Sequence, residues 1–246
     1  MGFQDIFQRH HRLLLGSAAL SILLMGSNAQ AAEVCNGTRF PAGDPSASSI
    51  LFVSNCVVTA ADLAAVPEIN RLISDGSGSN LVITADAVIT NSNHPTNGGN
   101  TILSGALPGR DIIVLSNAGV LRSISTSATT IAANPSVIFR LENSGTIDSQ
   151  NAGGAVFVGQ GVFGNALSNG DIVINNSGSI THSQTDATRP FAIVIASNSG
   201  DATINNMGGV IDAPASIVAQ TNGAFYLTNK DGGRISGTAD NQATTF

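Results

Sequence analysis

From about residue 80 onward the chain alternates short apolar runs with small polar residues. Asp111-Ile-Ile-Val-Leu115, Val137-Ile-Phe139, Asp171-Ile-Val-Ile174 and Phe191-Ala-Ile-Val-Ile195 are short and rich in β-branched residues, which fits strands at period two rather than helices at period 3.6. Between these runs one phrase keeps returning: apolar, any, Asn, any, Gly, any, apolar. It reads Leu115-Ser-Asn117-Ala-Gly119-Val-Leu121, Leu141-Glu-Asn143-Ser-Gly145-Thr-Ile147, Ile174-Asn-Asn176-Ser-Gly178-Ser-Ile180 and Ile204-Asn-Asn206-Met-Gly208-Gly-Val210. A fifth copy, Leu227-Thr-Asn229-Lys-Asp-Gly232-Gly-Arg-Ile235, carries an insertion. The marker asparagines are 26, 33, 30 and 23 residues apart, a mean of 28.

A period of that length signals a solenoid. One coil of a parallel β-helix takes roughly 20 to 30 residues and cannot bury its inward side chains until another coil stacks on it, so repetition is a requirement of stability. In the phrase, the leading Leu or Ile points inward, Gly turns a corner where a Cβ would clash, and the following Ile, Val or Leu points inward again. An Asn stacked on the Asn of the next coil, about 4.8 Å away, is placed to form an amide ladder inside the bend. The expected fold is therefore all-β, a parallel β-helix over 80–246, with uneven spacings taken up by loops such as 152–169 and 181–190. An antiparallel sandwich, the competing fold, has turns every 8 to 12 residues and no long-period phrase.

Residues 32–79 lack the phrase and are assigned as a small N-terminal cap covering the first open edge, with one short helix expected around Pro67 to Ser74. The cap holds both cysteines, Cys35 and Cys56. Ahead of it, residues 1–31 read as a secretory signal: Arg9, His10, His11 and Arg12 form a basic front, Leu13 to Met25 an apolar core, and Ala29-Gln-Ala31 a cleavage site. Export to an oxidising compartment makes a Cys35–Cys56 disulfide the expected pairing, contributing about 3 kcal/mol in the chain-entropy model.

Composition sharpens this picture. Gly, Ser, Asn and Thr number 27, 27, 23 and 19, about four residues in ten, whereas only 11% are charged. Globular proteins average about 25% charged, so the outer faces are built from small hydroxyls and amides. With one Lys, no Trp and a formal charge of -6, the chain lacks the clustered cations that phosphate neutralisation needs, which argues against a nucleic-acid binder. Loss of residues 1–31 leaves 8 basic and 15 acidic residues, a net charge of -7.

A leader followed by Asn-Ser-Gly-Thr-Ile (143–147), Asn-Asn-Ser-Gly-Ser-Ile (175–180) and Asn-Asn-Met-Gly-Gly-Val-Ile (205–211) is similar to the passenger region of bacterial autotransporters, the type V secretion family. The resemblance covers 1–31 and roughly 110–246. It implies a right-handed winding, display at or release from the outer membrane, and a role in adhesion, aggregation or other surface contact. It also implies an outer-membrane β-barrel translocator, whose signature of alternating strands with aromatic girdles is not found in this sequence.

Catalytic constellations are poorly represented in the sequence. After removal of the leader only His94 and His182 remain, and both read as exposed loop residues without a second His at ligand spacing. Ser74-Asp-Gly-Ser77-Gly-Ser79 resembles a protease serine loop, but no mature His precedes Ser77, as a chymotrypsin-like order demands. Asp148, Asp171, Asp186, Asp201 and Asp212 are the carboxylates a glycan-cleaving site would draw on, and without a Glu-rich or Asp-x-Asp cluster they read as turn and rim residues. Gly159-Gln-Gly161-Val-Phe-Gly164 matches a dinucleotide fingerprint literally but is followed by Asn-Ala-Leu-Ser-Asn-Gly, not by a helix. The expected protein is thus non-enzymatic, needs no cofactor or metal, and is exported to the cell surface, outer membrane or exterior. It would act as an adhesin or stalk whose partners are surface glycans, matrix or copies of itself. A β-helical glycan-active enzyme is the alternative, and a nonfunctional fragment of a longer autotransporter the third.

Overall fold

A computed structural model describes residues 38–39, 49–52, 55–65, 71–74, 79–91, 100–104, 112–124, 129–135, 138–150, 154–159, 170–183, 191–197 and 200–237. The chain begins with β1 (Thr38–Arg39), β2 (Ser49–Phe52), β3 (Cys56–Val58) and helix α1 (Ala60–Ala65). It then repeats a unit of three strands. The units are β4 (Arg71–Ser74), β5 (Ser79–Ile83), β6 (Val88–Asn91); β7 (Ile102–Ser104), β8 (Ile112–Asn117), β9 (Val120–Ser123); and β10 (Ile131–Ala133), β11 (Ile138–Asn143), β12 (Thr146–Ser149). After them come β13 (Val156–Gly159), β14 (Asp171–Asn176), β15 (Ser179–His182); β16 (Phe191–Ser197), β17 (Ala202–Met207), β18 (Val210–Asp212); and β19 (Ala215–Thr221), β20 (Phe225–Lys230), β21 (Arg234–Ser236).

The strands of successive units pair in parallel, first with first, second with second and third with third. Three stacked sheets result, β1-β2-β4-β7-β10-β13-β16-β19, β3 to β20, and β6 to β21, the arrangement of a parallel β-solenoid. β1 differs from the rest, lying antiparallel on β2. Register aligns like with like. Leu81, Leu115, Leu141, Ile174, Ile204 and Leu227 form one column of the second sheet. Ile89, Leu121, Ile147, Ile180, Ile211 and Ile235 form the matching column of the third. In the first sheet the column is Leu72, Ile102, Ile131, Val156, Ile193 and Ile217. These columns face each other and, Leu227 apart, make a single core. Each fully buried Leu or Ile contributes about 2 kcal/mol of transfer free energy, which a lone coil, open above and below, would not collect.

Three expectations need correction. The solenoid does not start at residue 80: β2, β3 and β4 already pair in parallel with the coils that follow, so most of the described part of 32–79 is the first coil and the start of the second. The short helix lies at Ala60–Ala65, whereas Arg71–Ser74 is strand. Its signal is a capping box: Thr59 Oγ1 accepts from the Asp62 amide, and Asp62 Oδ2 accepts from the Thr59 amide at 2.8 Å. α1 stands in the first coil where later coils place a third-sheet strand, packing against β6 and turning Leu63 to the core. Finally, His182 is no exposed loop residue. It ends β15 and is 3% exposed, in the interior column that begins Asn91, Ser123, Ser149. Cys56 is buried above Leu81 in the core; Cys35, and hence the Cys35–Cys56 pairing, lies outside the described residues, as does the 1–31 leader.

Candidate functional site

The repeating phrase occupies the corner between the second and third sheets. Asn117, Asn143, Asn176, Asn206 and Asn229 fall in one column. Each Nδ2 donates to the Oδ1 of the next coil: Asn117 to Asn143 at 2.8 Å, Asn143 to Asn176 at 2.7 Å, Asn176 to Asn206 at 2.8 Å and Asn206 to Asn229 at 2.8 Å. The second proton of each amide is placed among backbone carbonyls of the bend; for Asn143 these are Gly145 O and Ser179 O, both at 3.3 Å. Four of the five side chains are buried, where an unmatched amide would cost about 1–3 kcal/mol. Stacked amides solve that problem for each other. The ladder has an unmatched start. Above Asn117 the column holds Ile83 and Val58, which carry no donor, and Asn117 Oδ1 is buried without a hydrogen bond.

The corner glycines follow one rule with one exception. A Cβ on Gly119, Gly145 or Gly178 would lie under 3.0 Å from a backbone carbonyl oxygen of the coil before, so only glycine lets the coils approach. In the last two coils that position belongs to Gly209 and Gly233, not to the Gly208 and Gly232 expected from the phrase. Asn206 Nδ2 donates to Gly209 O, and Asn229 Nδ2 to Gly233 O, both at 2.9 Å. Gly208 and Gly232 are extra residues in longer bends, with φ of 77° and 79°. The same one-residue shift makes Ile211, not Val210, the inward residue. The signal was the Gly-Gly pair itself, since two adjacent glycines satisfy both demands.

Outside this corner runs a shallow groove of about 250 Å³ lined by Ser116, Ala118, Glu142, Ser144, Asn175 and Met207 among others. Its floor carries a second polar ladder, in which Asn175 Nδ2 donates to Glu142 Oε1 at 2.8 Å and Asn205 Nδ2 to Asn175 Oδ1 at 2.9 Å. A third ladder on the outer face of the third sheet centres on Asp148. Arg122 Nε reaches its Oδ2 at 3.1 Å, Gln150 Nε2 the same oxygen at 2.9 Å, and Thr181 Oγ1 its Oδ1 at 3.0 Å. Hydroxyls cross the coil to support this face: Thr101 and Thr130 donate to the carbonyls of Arg122 and Asp148 at 2.9 and 2.7 Å.

Among the described residues the suspected catalytic groups do not converge. Asp148 and Asp212 share a column with Thr181 between them, which sets them about 9.6 Å apart at two strand spacings. That is near the span of an inverting carboxylate pair, but both Asp148 oxygens are engaged and the residue is 7% exposed. Asp171 Oδ1 accepts from the Asp201 amide at 3.0 Å, and Asp201 Oδ1 from the Ala224 amide at 2.8 Å, so these two staple successive bends. Asp212 Oδ1 accepts from Ser236 Oγ at 2.6 Å. Asp186, His94, Ser77, Gly161 and Gly164 lie outside the described residues. Among the described residues no three His, Cys, Asp or Glu side chains gather as metal ligands. Two electrostatic features stand apart: burial lowers the pKa of the Arg71 guanidinium, whose Nε has no hydrogen-bond partner, and the Thr84 hydroxyl holds the Asp86 carboxyl below its usual range.

Comparison with protein-family models, curated proteins and solved structures finds no match.

Proposed function

We propose that this chain is a surface-displayed or secreted adhesin or stalk, a right-handed β-helix that binds through many weak contacts along its outer faces and catalyses nothing. The observation that carries the reading is the coil-by-coil alignment of outward polar side chains: Glu142 and Asn175 along the groove with Asn205 on the next coil, and Arg122 and Thr181 on either side of the buried Asp148 on the third sheet. Sites repeated at strand spacing suit an extended polar polymer such as a glycan, which can engage several coils at once. Each contact is then worth little, and affinity comes from the number made together. The right hand of the winding is the one that the crossover rule favours for parallel strands, and it agrees with the resemblance to autotransporter passengers. Export and a Cys35–Cys56 disulfide belong to the same reading.

The test is a glycan and matrix binding screen with the purified chain, immobilised at high and low density. Binding that rises steeply with density and falls in Glu142→Ala/Asn175→Ala supports the proposal; binding to nothing at any density overturns it. The aligned Asp148 and Asp212 give the glycan-active alternative its own arm. Depolymerisation of any polysaccharide in the same screen, abolished by Asp148→Asn, replaces the adhesin reading with that of an enzyme.

A further inference from the structure

The groove outside the corner crosses the strands instead of following one. It is built of two rows: Ser116, Glu142 and Asn175 from successive strands of the second sheet, and Ala118, Ser144 and Ser177, each of which follows a marker asparagine. The amides of Ser144 and Ser177 donate at 2.8 Å to the carbonyls of Asn117 and Asn143 in the coil before, so the second row keeps the register of the first. A ligand lying along the groove therefore meets the same pair of positions once per coil, about every 4.8 Å. Val82 begins the groove and the exposed Met207 ends it, a run from β5 to β17 that spans roughly 19 Å at that spacing.

We propose, resting on the adhesin reading, that this groove is the ligand site and that its ligand is a linear, uncharged, β-linked glycan laid along the stack, one sugar to a coil. An extended chain of equatorially linked sugars advances by about one strand spacing per unit, whereas like-facing side chains of an extended peptide recur about every 6.6 Å, two residues of strand rise. A peptide thus falls out of step with the rows after a single coil. Nor does the groove offer it an open strand edge, because the strands it crosses are already paired on both sides. Charge then selects among glycans. Of the residues lining the groove only Glu142 is charged, and together with the chain's formal charge of -6 it disfavours a polyanion built of sugar acids. Glu142 Oε1 already accepts from Asn175 at 2.8 Å, which leaves Oε2 for a sugar hydroxyl. The Ser144 and Ser177 hydroxyls are held only by contacts of 3.5 and 3.4 Å to the carbonyls of Asn117 and Asn143, weak enough to exchange for bonds to a ligand. At the two ends Val82 and Met207 suit the C–H face of a sugar ring. The length of the groove sets the footprint at about four sugars.

Calorimetric titration of the full chain with β-1,4-linked glucose and N-acetylglucosamine oligomers, from the dimer to the hexamer, reads the period directly. The association constant of at least one series should rise about two- to tenfold with each added sugar, the worth of one net hydrogen bond, and level off near the fourth. Oligomers of α-1,4-linked glucose, which coil, and of β-linked glucuronic acid, which are anionic, should bind about tenfold more weakly or worse. Ser144→Tyr fills the groove from an exposed corner position, and Glu142→Gln keeps the acceptor for Asn175 but loses Oε2. Both should weaken the longest oligomer with β-type circular dichroism unchanged, and Val88→Tyr, on the exposed outer face of the third sheet, should not. Affinity that does not grow with length, or equal binding of the coiled or the anionic series, would overturn the proposal. Binding that survives Ser144→Tyr and Glu142→Gln would place the ligand on another face, ending this inference while the adhesin reading stands. Capture of other glycans or of matrix in the density screen, with no β-linked oligomer bound, would do the same, and only a blank in both experiments would end the two together.

Discussion

The corner of the middle coils and the corner of the last coil are written with the same residue types and have different physical meanings. Asn143 and Gly145 have a coil on either side: the amide both accepts from Asn117 and donates to Asn176, and the glycine presses against Gly119. Asn229 accepts from Asn206 but donates only to Gly233 of its own bend, and a Cβ on Gly232 would meet nothing within 4 Å. What a residue does in a solenoid is therefore set by its neighbours in the stack, not by the phrase it belongs to. Substitutions at five positions, read as changes in unfolding free energy by chemical denaturation, test that claim.

The largest effect belongs to Gly145→Ala. The new methyl would collide with backbone on the preceding coil, and backbone held by ladders on both sides moves only by prising coils apart. We expect a loss of about 3–5 kcal/mol, at the upper end of what single changes do, enough to unfold a marginal domain. A loss below about 1 kcal/mol would show that the coils are looser than the register implies.

Asn143→Ala comes next. It leaves Asn176 Oδ1 buried without its donor and takes away the acceptor of Asn117 Nδ2, for an expected cost of about 2–3 kcal/mol. If the ladder is the cause, Asn143→Asp should be about as harmful at neutral pH, because a carboxylate there cannot donate to Asn176.

Much of this was legible in the sequence, and the reason is periodicity. Columns of Leu and Ile and the five asparagines are forced into register by stacking, so their spacing alone announces parallel coils. What escaped has no period. α1 rests on the capping pair Thr59 and Asp62, a signal local to one turn, and the first two coils lack the phrase because Val58 and Ile83 stand where later coils carry Asn. His182 looks like a loop residue between Thr and Ser, yet it is the fourth member of a buried column whose earlier members are Asn91, Ser123 and Ser149, residues with no shared pattern. The glycine offset in the last two coils has the opposite origin: the phrase fits Gly208 and Gly232, but the backbone takes them as extra residues of a longer bend and turns the corner one residue later. Asp148 was hidden for a third reason, since its partners Arg122 and Thr181 are 26 and 33 residues away and meet it only through register.

Asn229→Ala should cost about 1 kcal/mol or less, since it removes one bond to Asn206, whose Nδ2 keeps Gly209 O at 2.9 Å, at a position open to water. The contrast with Asn143→Ala is the measurement that matters. Equal costs would mean that the bend at Asn229 is as enclosed as those of the middle coils.

Gly232→Ala carries the smallest effect and isolates backbone strain from packing. Its φ of 79° lies in the left-handed region, where alanine is disfavoured by about 1 kcal/mol, while the open space around it removes any clash. Alanine also narrows the unfolded ensemble, which offsets part of that strain. The expected change is about 0.5–1 kcal/mol, several times smaller than for Gly145→Ala, although the phrase assigns both glycines to one role. Gly233→Ala, one residue on, meets Asn206 and Asn229 within 3.0 Å and should cost clearly more than Gly232→Ala. If the two glycines rank the other way, the bend is closed at Gly232 as the phrase implied, and the offset of the last coils is wrong.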